Sequence, residues 1–360
     1  MPAFIKGKGL CRAFFNECAR PVLQKHFPGL VYTAGILGYG SDVLGYDDAV
    51  STDHMWGPRF YLFLKEADLP LKEEIFRVLG EELPVTFCGY SVNFSAPDPN
   101  DNGVQHPQFV AKGPVRPLVW VQTFEDFLHS YTGITDPLAL NERDWLGLSE
   151  HRLLALTAGV LFEDGLQVQK TLDKLRFYPE TVRLYLIASQ WALIAEEQAF
   201  VRRCAEAGDE IGSALVGGRM AERLMRLAFL YCGQYAPYSK WFGTAFARLP
   251  VAEELKAALL AAVTAREIEM REENLLRAQV LLAEMHNASG ITAPVEFAVQ
   301  SYFGRSSKVI FAENFADAIC EKLRGTVLKN APLIGTLSGV ANFSALWDDP
   351  QQRENIKQLY

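Results

Sequence analysis

The residues whose types and spacing could do chemistry are Gly38-Tyr39-Gly40-Ser41-Asp42, then Asp47-Asp48, then Ser51-Thr52-Asp53-His54-Met55-Trp56-Gly57-Pro58-Arg59. A glycine turn leaves backbone N–H groups open to a phosphate, and a small hydroxyl such as that of Ser41 adds another donor. Carboxylates on an adjoining strand can hold Mg2+ between phosphate oxygens and an attacking hydroxyl. Gly40 and Ser41 are therefore the candidate nucleotide-binding residues, and Asp53 is the candidate catalytic and metal-binding residue. Arg59 follows the acidic stretch and is placed either to touch phosphate or to pair with a neighbouring acid. A Gly-Ser turn by itself more often serves backbone geometry than ligand binding, so the weight rests on its combination with the acids that follow.

Other residues offer chemistry with a blander alternative beside it. Lys240 opens a helix after Pro237 and could reach triphosphate oxygens as a flexible point charge, or remain a solvated lysine beside a core Trp241. Arg219, Arg223 and Arg226 share one helix face, which suits an anionic pocket but suits ion pairs with nearby acids better. Glu196, Glu197, Asp209 and Glu210 could supply a general base, yet read more simply as helix-surface acids. His286, near a helix end, is expected to satisfy terminal carbonyls. His54 is either a core histidine or a site residue, and Asn93 either marks a cleft or caps a strand.

The elements that must position these residues change character near residue 145. Before it, short apolar runs alternate with Gly, Pro, Asn and Asp clusters. A helix over 9–25, strands over 30–37, 56–64, 85–94 and 118–124, and a helix over 71–83 follow from that pattern. The Pro- and Asp-rich stretch 95–117 reads as a long surface loop. After residue 145, long helical periodicities predict helices over 149–162, 168–177, 180–205, 209–235, 238–249, 252–264 and 266–287, with a short strand at 308–311 and a helix at 316–323.

Several segments, read together, resemble a known family. They are Ser51–Arg59, Gly89–Phe94, Gly208–Ser213 and Tyr235–Phe246, with Met285-His286-Asn287 and Gly290-Ile291-Thr292. They look like an uncharacterised bacterial family, domain of unknown function 4037, grouped with the polymerase-β-like nucleotidyltransferase superfamily. The resemblance implies an α+β fold: an N-terminal nucleotidyltransferase-like mixed sheet with flanking helices, then a C-terminal all-α helical bundle. The change of character near residue 145 puts these at 1–145 and 146–330, with a tail at 331–360. The resemblance also implies transfer of a nucleoside monophosphate from an NTP, ATP above all, to a small-molecule or protein acceptor with the aid of Mg2+.

The sequence departs from that pattern where the metal should sit. The family's second aspartate would fall two residues after Asp53, on the same face of a regular strand, and that position is Met55. A thioether is a poor ligand for a hard cation. The later strand at 118–123 carries no acid, and Glu125 and Asp126 come just past its end. Asp42, Asp47 and Asp48 are the remaining candidates for a partner carboxylate, or are turn residues held by local hydrogen bonds. The rival expectation is a nucleotide- or ligand-binding regulatory module that has lost catalysis.

Composition sets the bounds. The 360 residues are 49% hydrophobic and 22% charged, ordinary globular proportions with enough apolar content for a core. A formal net charge of −8 argues against nucleic-acid binding, which draws on a basic surface. No apolar run is long enough to span a bilayer and the first residues lack a signal-peptide core, so a cytoplasmic protein is expected. The six cysteines form no CxxC pair and read as reduced thiols. No Ser-His-Asp arrangement, Walker A loop or Rossmann glycine fingerprint is present.

Overall fold

The computed structural model describes residues 3–52, 55–101, 103–340 and 350–360. The described chain divides into two compact units: Met1–Leu138 with Arg152–Arg176, and Ala139–His151 with Phe177–Tyr360. The first unit is built on a mixed sheet and the second is almost wholly helical, an α+β arrangement. No described helix is long and apolar enough to cross a membrane.

In the first unit the sheet takes the order β5-β2-β1-β6. Its strands are β1 (Thr33–Ile36), β2 (Arg59–Phe63), β5 (Leu118–Gln122) and β6 (Val160–Asp164). β1 runs antiparallel to both β2 and β6, and β2 runs parallel to β5. Side chains alternate across a strand, and β2 shows what each face does. Phe60 and Leu62 join the main core with Phe14, Phe15, Ala34, Ile75 and Leu79. Ala34 is on β1, and the others come from α1 (Gly7–Phe14), the π-turn after it at Phe15–Ala19, and α4 (Lys72–Glu82), which follows α2 (Arg20–His26) in the chain. On the other face, Tyr61 and Phe63 pack against Phe127 of α5 (Phe124–Thr132), with ring centroids 4.9 and 5.4 Å apart.

Three expectations are corrected here. The helix expected to run to residue 162 stops at Thr157, as α7 (Glu150–Thr157), and Val160–Asp164 is the edge strand β6. Gly159 makes this possible: a Cβ there would lie 2.5 Å from the carbonyl oxygen of Ile36, so only glycine lets the chain come this close to β1. The strand expected over 85–94 is instead a hairpin of β3 (Thr86–Phe87) and β4 (Tyr90–Ser91), turned by Cys88 and Gly89 at φ 49° and 83°. Two consecutive positive-φ residues give the turn whose twist suits a two-residue hairpin. β2 begins at Arg59 rather than at Trp56. Met55 sits at φ 47° and Gly57 at φ 142°, so the chain entering β2 is bent and the even–odd strand argument does not extend back to Met55. The 95–117 loop doubles back on itself through Ser95 N–H to His106 O and Asp98 N–H to Val104 O. Asn93 anchors it, accepting from Arg116 N–H and donating to Gln108 O.

The second unit packs long helices in the expected places: Glu180–Glu197, Glu210–Tyr231, Glu253–Thr264 and Ile268–Ser289, with Glu313–Leu323 against the first of them. The helix expected over 180–205 breaks at Gln198 and resumes as Phe200–Glu206. Residues 331–340 and 350–360 belong to this unit.

Candidate functional site

The glycine turn lies between β1 and a single helical turn, Ser41–Leu44. Gly38 and Gly40 take φ 75° and 120°, and Gly40 is the residue before the helix. A Cβ on Gly40 would stand 2.1 Å from Asp42 Oδ1 and 2.6 Å from Arg59 Nη2, so the turn tolerates no side chain there. Ser41 is half-buried, Tyr39 is exposed, and the Tyr39 ring sits edge-on to Tyr131 at 4.9 Å.

Beneath the turn is a buried ion pair. Arg59 Nη2 donates to Asp42 Oδ1 at 2.8 Å, to Asp42 Oδ2 at 3.0 Å and to Tyr39 O at 2.8 Å. Asp42 also accepts from its neighbour Val43 N–H at 2.9 Å. Arg59 and Asp42 are 2% and 1% exposed, so neither faces a ligand in solvent. Burial pulls the Arg59 guanidinium down, but the adjacent Asp42 carboxylate more than offsets this and holds it above its ordinary value. Of the two roles open to Arg59, pairing with an acid is the one the structure shows.

The other acids are similarly engaged. Asp47 is buried, accepts from Gly7 N–H at 2.7 Å and from the Trp56 indole at 3.3 Å, and lies 3.4 Å from Lys6 Nζ. Asp48 is exposed and accepts from Val50 N–H, Ser51 N–H and the Ser51 hydroxyl; the Ser51 hydroxyl and these N–H groups hold its carboxyl below the usual range. Glu125 and Asp126 are exposed in the first turn of α5. Among the described residues no three His, Cys, Asp or Glu side chains gather as a metal site. Asp53 and His54 lie outside the described residues.

Two cations escaped notice in the sequence. Lys6 bonds the Asp47 carbonyl, and Lys8 Nζ donates to Ala158 O at 2.7 Å. Burial lowers the Lys8 ammonium, while Asp42 and Asp47 act to raise it. The alternation Lys6-Gly7-Lys8-Gly9 was the available signal. Nearby, the buried Cys11 thiol donates to Gly57 O at 3.2 Å, and burial pushes it up to about 12, which marks it as a packing group and not a nucleophile.

In the second unit, Lys240 is exposed, with its ammonium 5.1 Å from the Trp241 ring. The arginine stripe pairs with acids: Arg219 and Arg223 with Glu197, and Arg226 with Glu222 and Glu150. Asp209 caps its helix by accepting from Gly212 N–H. His286 does not satisfy helix carbonyls through its ring as expected. It is buried between the Tyr231 hydroxyl on Nδ1, at 2.9 Å, and Thr292 Oγ1 on Nε2, at 2.8 Å. Trp191 donates to Tyr231 Oη at 2.8 Å. The Thr292 hydroxyl donates to Ala293 O, so it accepts from Nε2–H; Nδ1 of the neutral ring then accepts from Tyr231, whose oxygen takes the Trp191 N–H. Burial lowers the imidazole to about 4.

The model of the family described as Domain of unknown function (DUF4037) matches residues 145–242. This is the family that the motifs resemble; Gly208–Ser213 falls within the match, and Ser51–Arg59 and Gly89–Phe94 fall outside it. No curated protein matches the chain. Among solved structures, a nucleotidyltransferase-like protein from Exiguobacterium sibiricum is similar at 12% identity and a TM-score of 0.34, covering 82% of this chain and 98% of that one. A likeness that distant assigns no role to any residue here.

Proposed function

We propose that the chain binds a nucleoside triphosphate, ATP in the first instance, at the Gly38–Ser41 turn, and transfers its nucleotidyl group to a small-molecule or protein acceptor. The observation that carries this reading is the turn itself. Gly40 is held at φ 120° over a buried Arg59–Asp42 pair, which fixes the backbone beside the Ser41 hydroxyl, with the Gly38 N–H already given to Ala155 O. Backbone N–H groups set in such a bend form a cradle for an anion. Lys6, which bonds the Asp47 carbonyl, and Lys8, which bonds Ala158 O, are the cations of the same unit proposed to serve the triphosphate. In the transfer, an acceptor oxygen attacks the α-phosphorus, the bond from that phosphorus to the bridging oxygen breaks, and pyrophosphate leaves. The acceptor loses a proton to a base.

Mg2+ would neutralise the phosphates in this chemistry. The described acids do not fit such an ion, because Asp42 and Asp47 are held by Arg59, Gly7 and Trp56 and Asp48 by its own loop. The metal in this proposal therefore rests on Asp53. The same observation favours a second reading, a nucleotide-binding module that does not turn over.

Pyrophosphate release from each of the four NTPs with Mg2+ separates the two. A transferase releases pyrophosphate, and Asp53→Ala abolishes it. A binding module is thermally stabilised by nucleotide even in EDTA and releases none. Absence of both stabilisation and turnover with every NTP overturns the proposal.

A further inference from the structure

We infer that a polar cavity inside the second unit is an internal hydration site, where one or two ordered water molecules join Tyr178, Gln190 and Glu150 and hold the C-terminal segment over them. The inference is independent of the nucleotide reading of the first unit. Two side-chain atoms carry it. Tyr178 Oη and Gln190 Oε1 are buried, and no atom of the structure hydrogen-bonds to either. Both residues are 5% exposed. Buried polar atoms without a partner are rare, and where two line the same cavity a shared guest is the simplest satisfaction of both.

The cavity is lined by Glu150, Tyr178, Gln190, Arg226 and Thr336, with Leu186 and Leu230 as apolar walls, and its volume is about 20 Å³. A water needs roughly 10–15 Å³ measured this way, so there is room for one or two and none for a nucleotide. The chemistry narrows the guest further. The Gln190 oxygen can only accept, so the guest must donate; an anion is excluded. The Tyr178 hydroxyl donates or accepts, and water meets both demands at once. Glu150 offers further acceptor capacity, since its Oε1 takes Ala236 N–H at 3.1 Å and its Oε2 has Arg226 only at 3.5 Å.

The roof of the cavity is the C-terminal segment, through Thr336 and Gly339. That segment is tied down around the site. Tyr185 Oη donates to Pro332 O, Glu150 N–H to Ser338 Oγ at 3.2 Å, and Tyr360 Oη to Gly335 O at 2.8 Å. Water bridging Tyr178, Gln190 and Glu150 would fasten this segment to the helices Glu180–Glu197 and Glu210–Tyr231 from within.

The test is a double-mutant cycle in the full chain, read as urea midpoints of the parent, Tyr178→Phe, Gln190→Met and the pair. The two side chains share no direct hydrogen bond, so a polar coupling between them is carried by a guest. Each single variant should lower the midpoint, and the pair should lower it by less than the sum. Additive shifts, or a raised midpoint for Tyr178→Phe, overturn the inference. A high-resolution crystal structure of the unsubstituted protein decides it without any variant. Density within hydrogen-bond reach of both Tyr178 Oη and Gln190 Oε1 supports the site, and its absence refutes it.

Discussion

Both units bury a carboxylate beside an arginine, and they do so in different ways. In the first, Asp42 and Arg59 meet at 2.8 and 3.0 Å through one nitrogen that also bonds the Tyr39 carbonyl. In the second, Glu150 and Arg226 stand 3.5 Å apart, and the guanidinium makes its closer contacts with Glu222 at 2.8 and 3.0 Å. Burial raises the Glu150 carboxyl; Arg226 and the Ala236 N–H only partly offset it. The lesson is that a close pair is a clamp, here under a glycine turn although Arg59 Nε finds no partner, whereas a loose pair leaves its carboxylate free to be engaged by something else.

Breaking the clamp should have the largest effect. Asp42→Asn leaves the Arg59 charge buried beside a neutral amide, and removal of one partner from such a pair costs about 3–5 kcal/mol. Urea denaturation should show a loss of that order. A loss under about 1 kcal/mol would mean that the pair is not a clamp.

Acid should act next, through the second unit. His286 has its pKa lowered to about 4 by burial, against about 6.5 in an unfolded chain. The folded state therefore favours the neutral ring. That contribution is complete above pH 6.5 and is lost as pH falls toward 4, because the unfolded chain takes up the proton first. The loss over this window should be on the order of 3 kcal/mol. Thermal melting across pH 4–7 of the parent and of His286→Gln measures it, and identical profiles would contradict the directional chain from Trp191.

The smallest effect is expected from the loose pair. Because the raised Glu150 carboxyl favours its protonated form, its stabilising share is present at low pH and declines as pH rises through the raised value. Glu150→Gln keeps an acceptor for Ala236 N–H and leaves Arg226 paired with Glu222. It should change stability at pH 7 by no more than about 1 kcal/mol, as weakly coupled pairs do. A loss as large as that of Asp42→Asn would erase the difference between the two units.

The sequence made the local features legible and hid the non-local ones. The helices Glu253–Thr264 and Ile268–Ser289 follow from their periodicity, as do strands β1 and β5 from their apolar runs. Strand β6 was not legible, because what makes Val160–Asp164 a strand is its pairing with Thr33–Ile36, far away in the chain. In the site, the turn at Gly38–Ser41 could be read from glycine and serine alone. The pairing of Asp42 with Arg59 could not, since the two come from a short helix and the start of β2, 17 residues apart. Glu150 at the start of a helix resembles any first-turn acid, and only packing shows that it is buried.

The most direct test of the central claim is a crystal structure of the chain with a non-hydrolysable ATP analogue. The account requires the phosphates at the 38–41 turn, within hydrogen-bond reach of backbone N–H groups there and of the Ser41 hydroxyl. An analogue bound elsewhere with that turn bare would contradict it.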